Sequence, residues 1–139
     1  MSSRTAGCHC GQLRLNCEGD PKKISMCHCL DCQRRTGSAF SVAVFYERDR
    51  VRIESGTSSC FARPSASGFP VTFHFCGRCG SNVYWEPARL PELIGVAIGA
   101  FADPGFACPE QSVWTRDKHG WFDLPEDMAR FEANPPPRR

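Results

Sequence analysis

The stretch MCHCLDCQRRTGSAF, Met26 to Phe40, places Cys27, Cys29 and Cys32 within six positions and follows them at once with Arg34 and Arg35. Two other cysteine groups exist: Cys8 and Cys10 as C-x-C, and Cys76 and Cys79 as C-x-x-C in FCGRCGS. Cys17, Cys60 and Cys108 stand alone. Short loops between cysteines suit a thiophilic metal, because both sulfurs can sit ~2.3 Å from one zinc ion without straining the backbone. The glycines of CGRCG permit the positive φ that turns backbone N–H groups toward a thiolate. Ten cysteines in 139 residues would suggest disulfides in an oxidising compartment. Pairs this close in sequence are poor long-range staples, however, and without a secretory pattern clustered cysteines point to metal.

A structural zinc takes four protein ligands, whereas a catalytic zinc takes three and keeps one position open. Seven clustered cysteines divide naturally as four plus three. Spacing alone does not fix the division, since Cys8 and Cys10 can join Cys76 and Cys79 or Cys27 and Cys29. A fourth ligand from Cys17, Cys60 or Cys108 would close the smaller site. Cys17 lies on an apolar strand face and reads as a small core residue; Cys60 and Cys108 fall in expected loops.

Three thiolates on one zinc leave a net negative charge that Arg34 and Arg35 can offset, and both can bind a substrate carboxylate through paired hydrogen bonds. Against this, exposed arginines on a short helix need do nothing. His9 and His28 each sit between two cysteines and point away from the sulfurs if the backbone is extended. His28, at the three-cysteine site, is the better candidate for proton transfer. His74 falls on the face opposite Phe73 and Phe75, and His119 in a loop. Ser38 has no recognisable base partner. Asp31 is expected to cap a short helix.

The elements that must position these groups are mostly strands. GQLRLNCEG alternates, with Leu13, Leu15 and Cys17 on one face and Gln12, Arg14 and Asn16 on the other. FSVAVFYE, RVRIESG, VTFHFC, SNVYWE, LIGVAIGAF and QSVWTR continue the series, divided by Pro, Gly and Ser. CFARPSASGFP reads as a loop. Helical signal is confined to LDCQRRTG, stopping at Gly37, and a turn in PEDMARFEA. The expectation is one β-rich domain over residues 1–134, with 135–139 a flexible tail.

Composition excludes some function classes. An apolar fraction of 41% supports one modest core. A net charge of +2 and a pI near 8.1 are too close to neutral for a nucleic-acid surface. No apolar run approaches the ~20 residues of a membrane span, and the N-terminus lacks the apolar stretch of a signal peptide. A soluble, cytoplasmic protein without nucleic-acid or membrane partners is expected.

GCHCGQLRL, MCHCLDCQRRTGSAF and FHFCGRCGSNVYWE, in this order, resemble the glutathione-dependent formaldehyde-activating enzyme family, which includes centromere protein V. IGVAIGAFADP and CPEQSVWTRDKHGWFDLPEDMARFEANP are similar to its C-terminal half, so the likeness covers nearly the whole chain. It implies a β-tent fold organised around zinc, with two zinc ions per chain. Cys8, Cys10, Cys76 and Cys79 match the family's structural zinc ligands; Cys27, Cys29 and Cys32 match its catalytic-type site. The activity implied is that of a carbon–sulfur lyase acting on an adduct of glutathione, or a similar thiol, with formaldehyde or another small aldehyde. The alternative is a non-catalytic zinc-binding module that binds a thiol or a protein partner. This chain lacks the basic or low-complexity extension such an adaptor would be expected to carry.

Overall fold

The computed structural model describes residues 2–64 and 68–136. Eleven strands form two sheets among the described residues. The smaller sheet joins β1 (Ser3–Gly7), β2 (Arg14–Glu18) and β5 (Val51–Ser55), all antiparallel. The larger has the order β11 (Ala129–Arg130), β10 (Gln111–Val113), β3 (Lys23–Cys27), β4 (Ser41–Glu47), β9 (Leu93–Ala97), β8 (Asn82–Pro87), β7 (Pro70–Phe75), β6 (Ser59–Pro64). β10 runs parallel to β3 and β11, and the other pairs are antiparallel. One α-helix, α1 (Leu30–Thr36), follows β3 almost directly. The chain is therefore mainly β, as expected. No described helix is long and apolar enough to cross a membrane.

Strand alternation assigns the two faces of the larger sheet. In register, Val44 lies opposite Val96 and Tyr46 opposite Ile94, and these side chains join Leu13, Leu15, Ala6 and the fully buried Cys17 in the core. Burial pushes the Cys17 thiol up to about 12, so it stays protonated there. Ala43, Phe45, Gly95 and Trp85 occupy the other face of the same strands. That face carries the cavity described below.

Several sequence expectations are corrected. β1 and β3 were not read as strands. SRTAG has no branched apolar residue and is held by five-residue pairing to β2. KISMC buries Ile24, Ser25 and Met26 in succession because both faces of β3 are covered, which removes the alternation. The supposed loop CFARPSASGFP contributes β6 and the start of β7, and Cys60 is an exposed strand residue in register with His74. The remainder of that loop includes residues 65–67, outside the described residues. PEDMARFEA makes the expected turn, closed by the Met128 N–H to the Pro125 carbonyl at 3.2 Å, but does not continue as helix: Ala129–Arg130 pairs with β10. Just before the expected tail, Asn134 is anchored, its Oδ1 accepting from Trp114 Nε1 at 3.0 Å. Of the tail itself, residues 137–139 lie outside the described residues.

His74 lies on the face opposite Phe73, as alternation implied. Its ring stacks on Tyr84 at 4.3 Å, and its nitrogens bond Ser58 Oγ at 2.9 Å and Glu86 Oε2 at 2.8 Å. Arg48, 2.6 Å from Glu86 Oε1, and His74 hold the Glu86 carboxyl below its usual value.

Candidate metal centres

Cys8 and Cys10 lie in the turn between β1 and β2, and Cys76 and Cys79 in the turn between β7 and β8, so the two sheets bring these four together. All four sulfurs lie within 4.8 Å of one another. Cys8 and Cys10 are 3.6 Å apart at Sγ, as are Cys10 and Cys76. A tetrahedron with ~2.3 Å zinc–sulfur bonds separates its sulfurs by about 3.8 Å, so the arrangement fits that ion.

The backbone around the cluster is already turned toward thiolates. The Leu13 N–H points at Cys8 Sγ (3.3 Å) and the Cys10 N–H at Cys79 Sγ (3.4 Å). The N–H groups of Arg78 and Cys79 reach Cys76 Sγ at 3.3 and 3.4 Å. Gln12 Nε2 also donates to Cys76 Sγ (3.2 Å) and lowers its pKa, while the Ser81 hydroxyl holds Cys79 down to about 5. The glycines of CGRCG serve different needs. Gly80 has φ +79°, whereas a side chain at Gly77 would meet Ser59 Oγ at 2.5 Å.

The second cluster is local. Cys27 ends β3, between Ser41 of β4 and Val113 of β10 in register. Cys29 caps α1, its Sγ accepting from the Cys32 N–H at 3.3 Å, and Cys32 sits in the first turn. The cap is thus Cys29 and not Asp31, whose carboxylate pairs instead with Arg63 at 2.7 Å. The helix stops as expected at Gly37, with φ 64° and its N–H on the Gln33 carbonyl. The three sulfurs lie within 4.8 Å of one another. Crowding makes them compete for protons: hydrogen bonds from Cys27 and Cys32 hold Cys29 down to about 2, and the bond to Cys29 pushes Cys27 far up. A divalent cation in place of those protons would stabilise all three as thiolates.

Among the described residues no fourth Cys, His, Asp or Glu joins this cluster. Cys17 is in the core, and Cys60 and Cys108 are exposed elsewhere. Cys27, Cys29 and Cys32 instead line a cavity of about 210 Å³ on the outer face of the larger sheet.

Arg34 and Arg35 separate. Arg34 is exposed and does not line this cavity, because consecutive helix residues point in directions about 100° apart. Arg35 does line it. Its guanidinium lies 4.6 Å from the Phe73 ring and 4.5 Å from that of Trp85, and its Nη2 donates to Ser41 Oγ at 2.7 Å. Its Nε is buried without a hydrogen-bond partner. His28, the sequence candidate for proton transfer, is only 1% exposed and does not line the cavity. Its Nε2 bonds Ser112 Oγ at 2.8 Å and its ring packs by Phe40 and Phe122; burial lowers its pKa. His9, at the four-cysteine turn, donates its backbone N–H to Ser81 Oγ at 3.0 Å.

Sequence reasoning missed two supports. Gln33 clamps α1 by donating to the carbonyls of His28 and Asp117 at 2.9 and 3.0 Å, while its Oε1 bonds His119 Nε2. Gly95 lies in register with both Phe45 and Trp85, and the indole of Trp85 fills its missing side chain. An added Cβ would sit 2.3 Å from Trp85 Nε1. A glycine inside an otherwise apolar strand was the available signal of such close approach. Gly95→Ala is therefore expected to cost roughly 1–3 kcal/mol by overpacking and to shift the indole away from Arg35. Denaturant melts and Trp fluorescence check this; an unchanged midpoint and spectrum would contradict it.

Fold and site together define a mainly β protein with two cysteine clusters able to hold metal, one joining the sheets and one bordering a cavity. The chain belongs to the glutathione-dependent formaldehyde-activating enzyme family, whose sequence profile matches residues 3–117. A Halomonas elongata protein provisionally named a glutathione-dependent formaldehyde-activating enzyme is 25% identical over 123 residues, which cover 84% of this chain and 78% of that one. A Rhodobacter sphaeroides protein, solved by crystallography as a structural-genomics target, shares the fold with a TM-score of 0.57 and 21% identity, covering 74% of this chain and 90% of the other.

Proposed function

We propose that the chain is a zinc-dependent enzyme of the carbon–sulfur lyase type, joining glutathione or a similar thiol to a small aldehyde or reversing that addition. The observation that carries this reading is the three-sulfur cluster lining a cavity with no fourth ligand among the described residues. Cys8, Cys10, Cys76 and Cys79 hold the structural zinc in this reading, and Cys27, Cys29 and Cys32 hold the second. When bound at the three-cysteine site, zinc supplies acidification of an incoming thiol, which is otherwise mostly protonated at neutral pH.

The chain's own residues do the rest. Arg35 sets a fixed positive charge beside the three sulfurs, which favours the oxygen that gains charge when sulfur adds to a carbonyl. The mostly apolar lining of the cavity would limit water around the reacting pair. Arg63 and Arg89 also border the cavity, as the cationic groups suited to a peptide thiol's carboxylates. Arg34, expected beside them, is assigned no contact. The test is glutathione-dependent aldehyde exchange followed by NMR line broadening on zinc-loaded protein. Exchange faster than the spontaneous reaction is expected with glutathione and absent with S-methylglutathione. No acceleration with any aldehyde would overturn the enzyme reading in favour of a binding module.

A further inference from the structure

The cavity at the three-cysteine cluster is larger than formaldehyde needs and mostly apolar. It exists because small residues occupy the outer sheet face: Ser25 and Ala43 lie in register on β3 and β4, and Gly95 on β9 lets Trp85 lie flat. Its walls are Phe45, Val71, Phe73, Trp85, Val113 and Trp114. Arg35 and Ser41 mark the end nearest the sulfurs, since Ser41 is in register with Cys27 and holds Arg35.

Size and polarity decide what fits. An apolar cavity of about 150 Å³ accepts a benzene molecule, so about 210 Å³ holds such a ring with a short linker. Formaldehyde is little larger than water and would leave most of these walls without contacts. The carboxylates of glutathione find partners at Arg63 and Arg89, which also border the cavity, whereas against Phe45, Phe73, Trp85 and Trp114 they would lose hydration that the rings cannot replace. The tripeptide therefore belongs beside the arginines, and the space between the aromatic walls remains for another group.

Resting on the thiol-adduct reading above, we propose that this cavity is the subsite for the apolar side group of the aldehyde, so that the substrate is the thiol adduct of an aromatic or branched aliphatic aldehyde. The chemistry balances without a further reactant. The sulfur electron pair forms the C–S bond, the carbonyl π pair moves to oxygen, and the proton released by the thiol ends on that oxygen as the hemithioacetal hydroxyl. The reverse step returns thiol and aldehyde.

Binding and turnover test it separately. Benzyl alcohol, which has the ring but no carbonyl, should bind zinc-loaded protein saturably by calorimetry in the absence of thiol. Ala43→Phe fills the floor and Val71→Trp fills the wall; each should weaken that binding at least tenfold. Ala43 is buried in a central strand, so Val71→Trp, at a half-buried position, is the control should the first variant misfold by circular dichroism. In the exchange assay phenylacetaldehyde should exceed formaldehyde in kcat/KM by at least tenfold, and both substitutions should remove that preference. Failure of benzyl alcohol to bind, or equal use of formaldehyde, overturns the inference while glutathione-dependent turnover still supports the function. Ring binding without acceleration for any aldehyde overturns the function, and the aldehyde assignment with it.

Discussion

Replacing Cys76 with serine is expected to leave the chain unfolded or aggregated, while Cys29→Ser leaves a folded protein that binds one metal ion fewer. The two clusters differ in what else holds their surroundings. Cys8 and Cys10 meet Cys76 and Cys79 only because the two sheets come together, and a metal held there would in turn tie the sheets. Apparent binding energies of about 10–16 kcal/mol for structural zinc match or exceed the ~5–15 kcal/mol of net stability of a typical domain. Loss of one ligand there removes a term as large as the whole. The second cluster spans only residues 27–32, and its elements are pinned without metal. β3 is paired on both sides, and α1 is clamped through Gln33. Circular dichroism melts with metal analysis on both variants check the division; equal loss of fold would contradict it.

The same Cys29→Ser variant is expected to lose glutathione-dependent exchange by well over 100-fold. Changing residues that merely support a metal ligand typically costs about 10–100-fold, and removing a ligand should exceed that. Cys29 also caps α1 and so helps place Cys32 and Arg35. Cys60→Ser is the matched control. That thiol is exposed on β6 and outside both clusters, so its loss should leave exchange unchanged. A Cys29→Ser variant with normal rates, or a Cys60→Ser variant with lost ones, would move the chemistry away from the three-cysteine cluster.

Much of this was legible in the sequence wherever the signal was local. C-x-C and C-x-x-C spacing marks candidate metal ligands because the loop geometry is short-range, and LDCQRRTG shows its end in Gly37, whose left-handed backbone closes the helix there. Pairing of Cys8 and Cys10 with Cys76 and Cys79 was open from spacing and came from family resemblance, since it depends on two sheets meeting. β3 was missed because burial on both faces erases alternation, and β1 because register with β2, not its own residues, makes it a strand. The cavity was not legible at all. Ser25, Ala43 and Gly95 come from three strands, and their shared smallness appears only once those strands are in register. Arg35 separates from Arg34 through packing between Phe73 and Trp85, residues some forty to fifty positions away.

The central claim is that the fourth position at Cys27, Cys29 and Cys32 receives an external thiol. Cadmium in place of zinc reports its sulfur ligands through thiolate charge-transfer absorption. On the cadmium-loaded protein, glutathione should raise that absorption and release a proton, because the bound sulfur is a thiolate. S-methylglutathione, which keeps the peptide but cannot form that thiolate, should do neither, and Cys29→Ser should abolish the response. Absorption unchanged by glutathione, with both peptides binding equally or not at all, would show that the thiol is not a ligand at this site and would contradict the account.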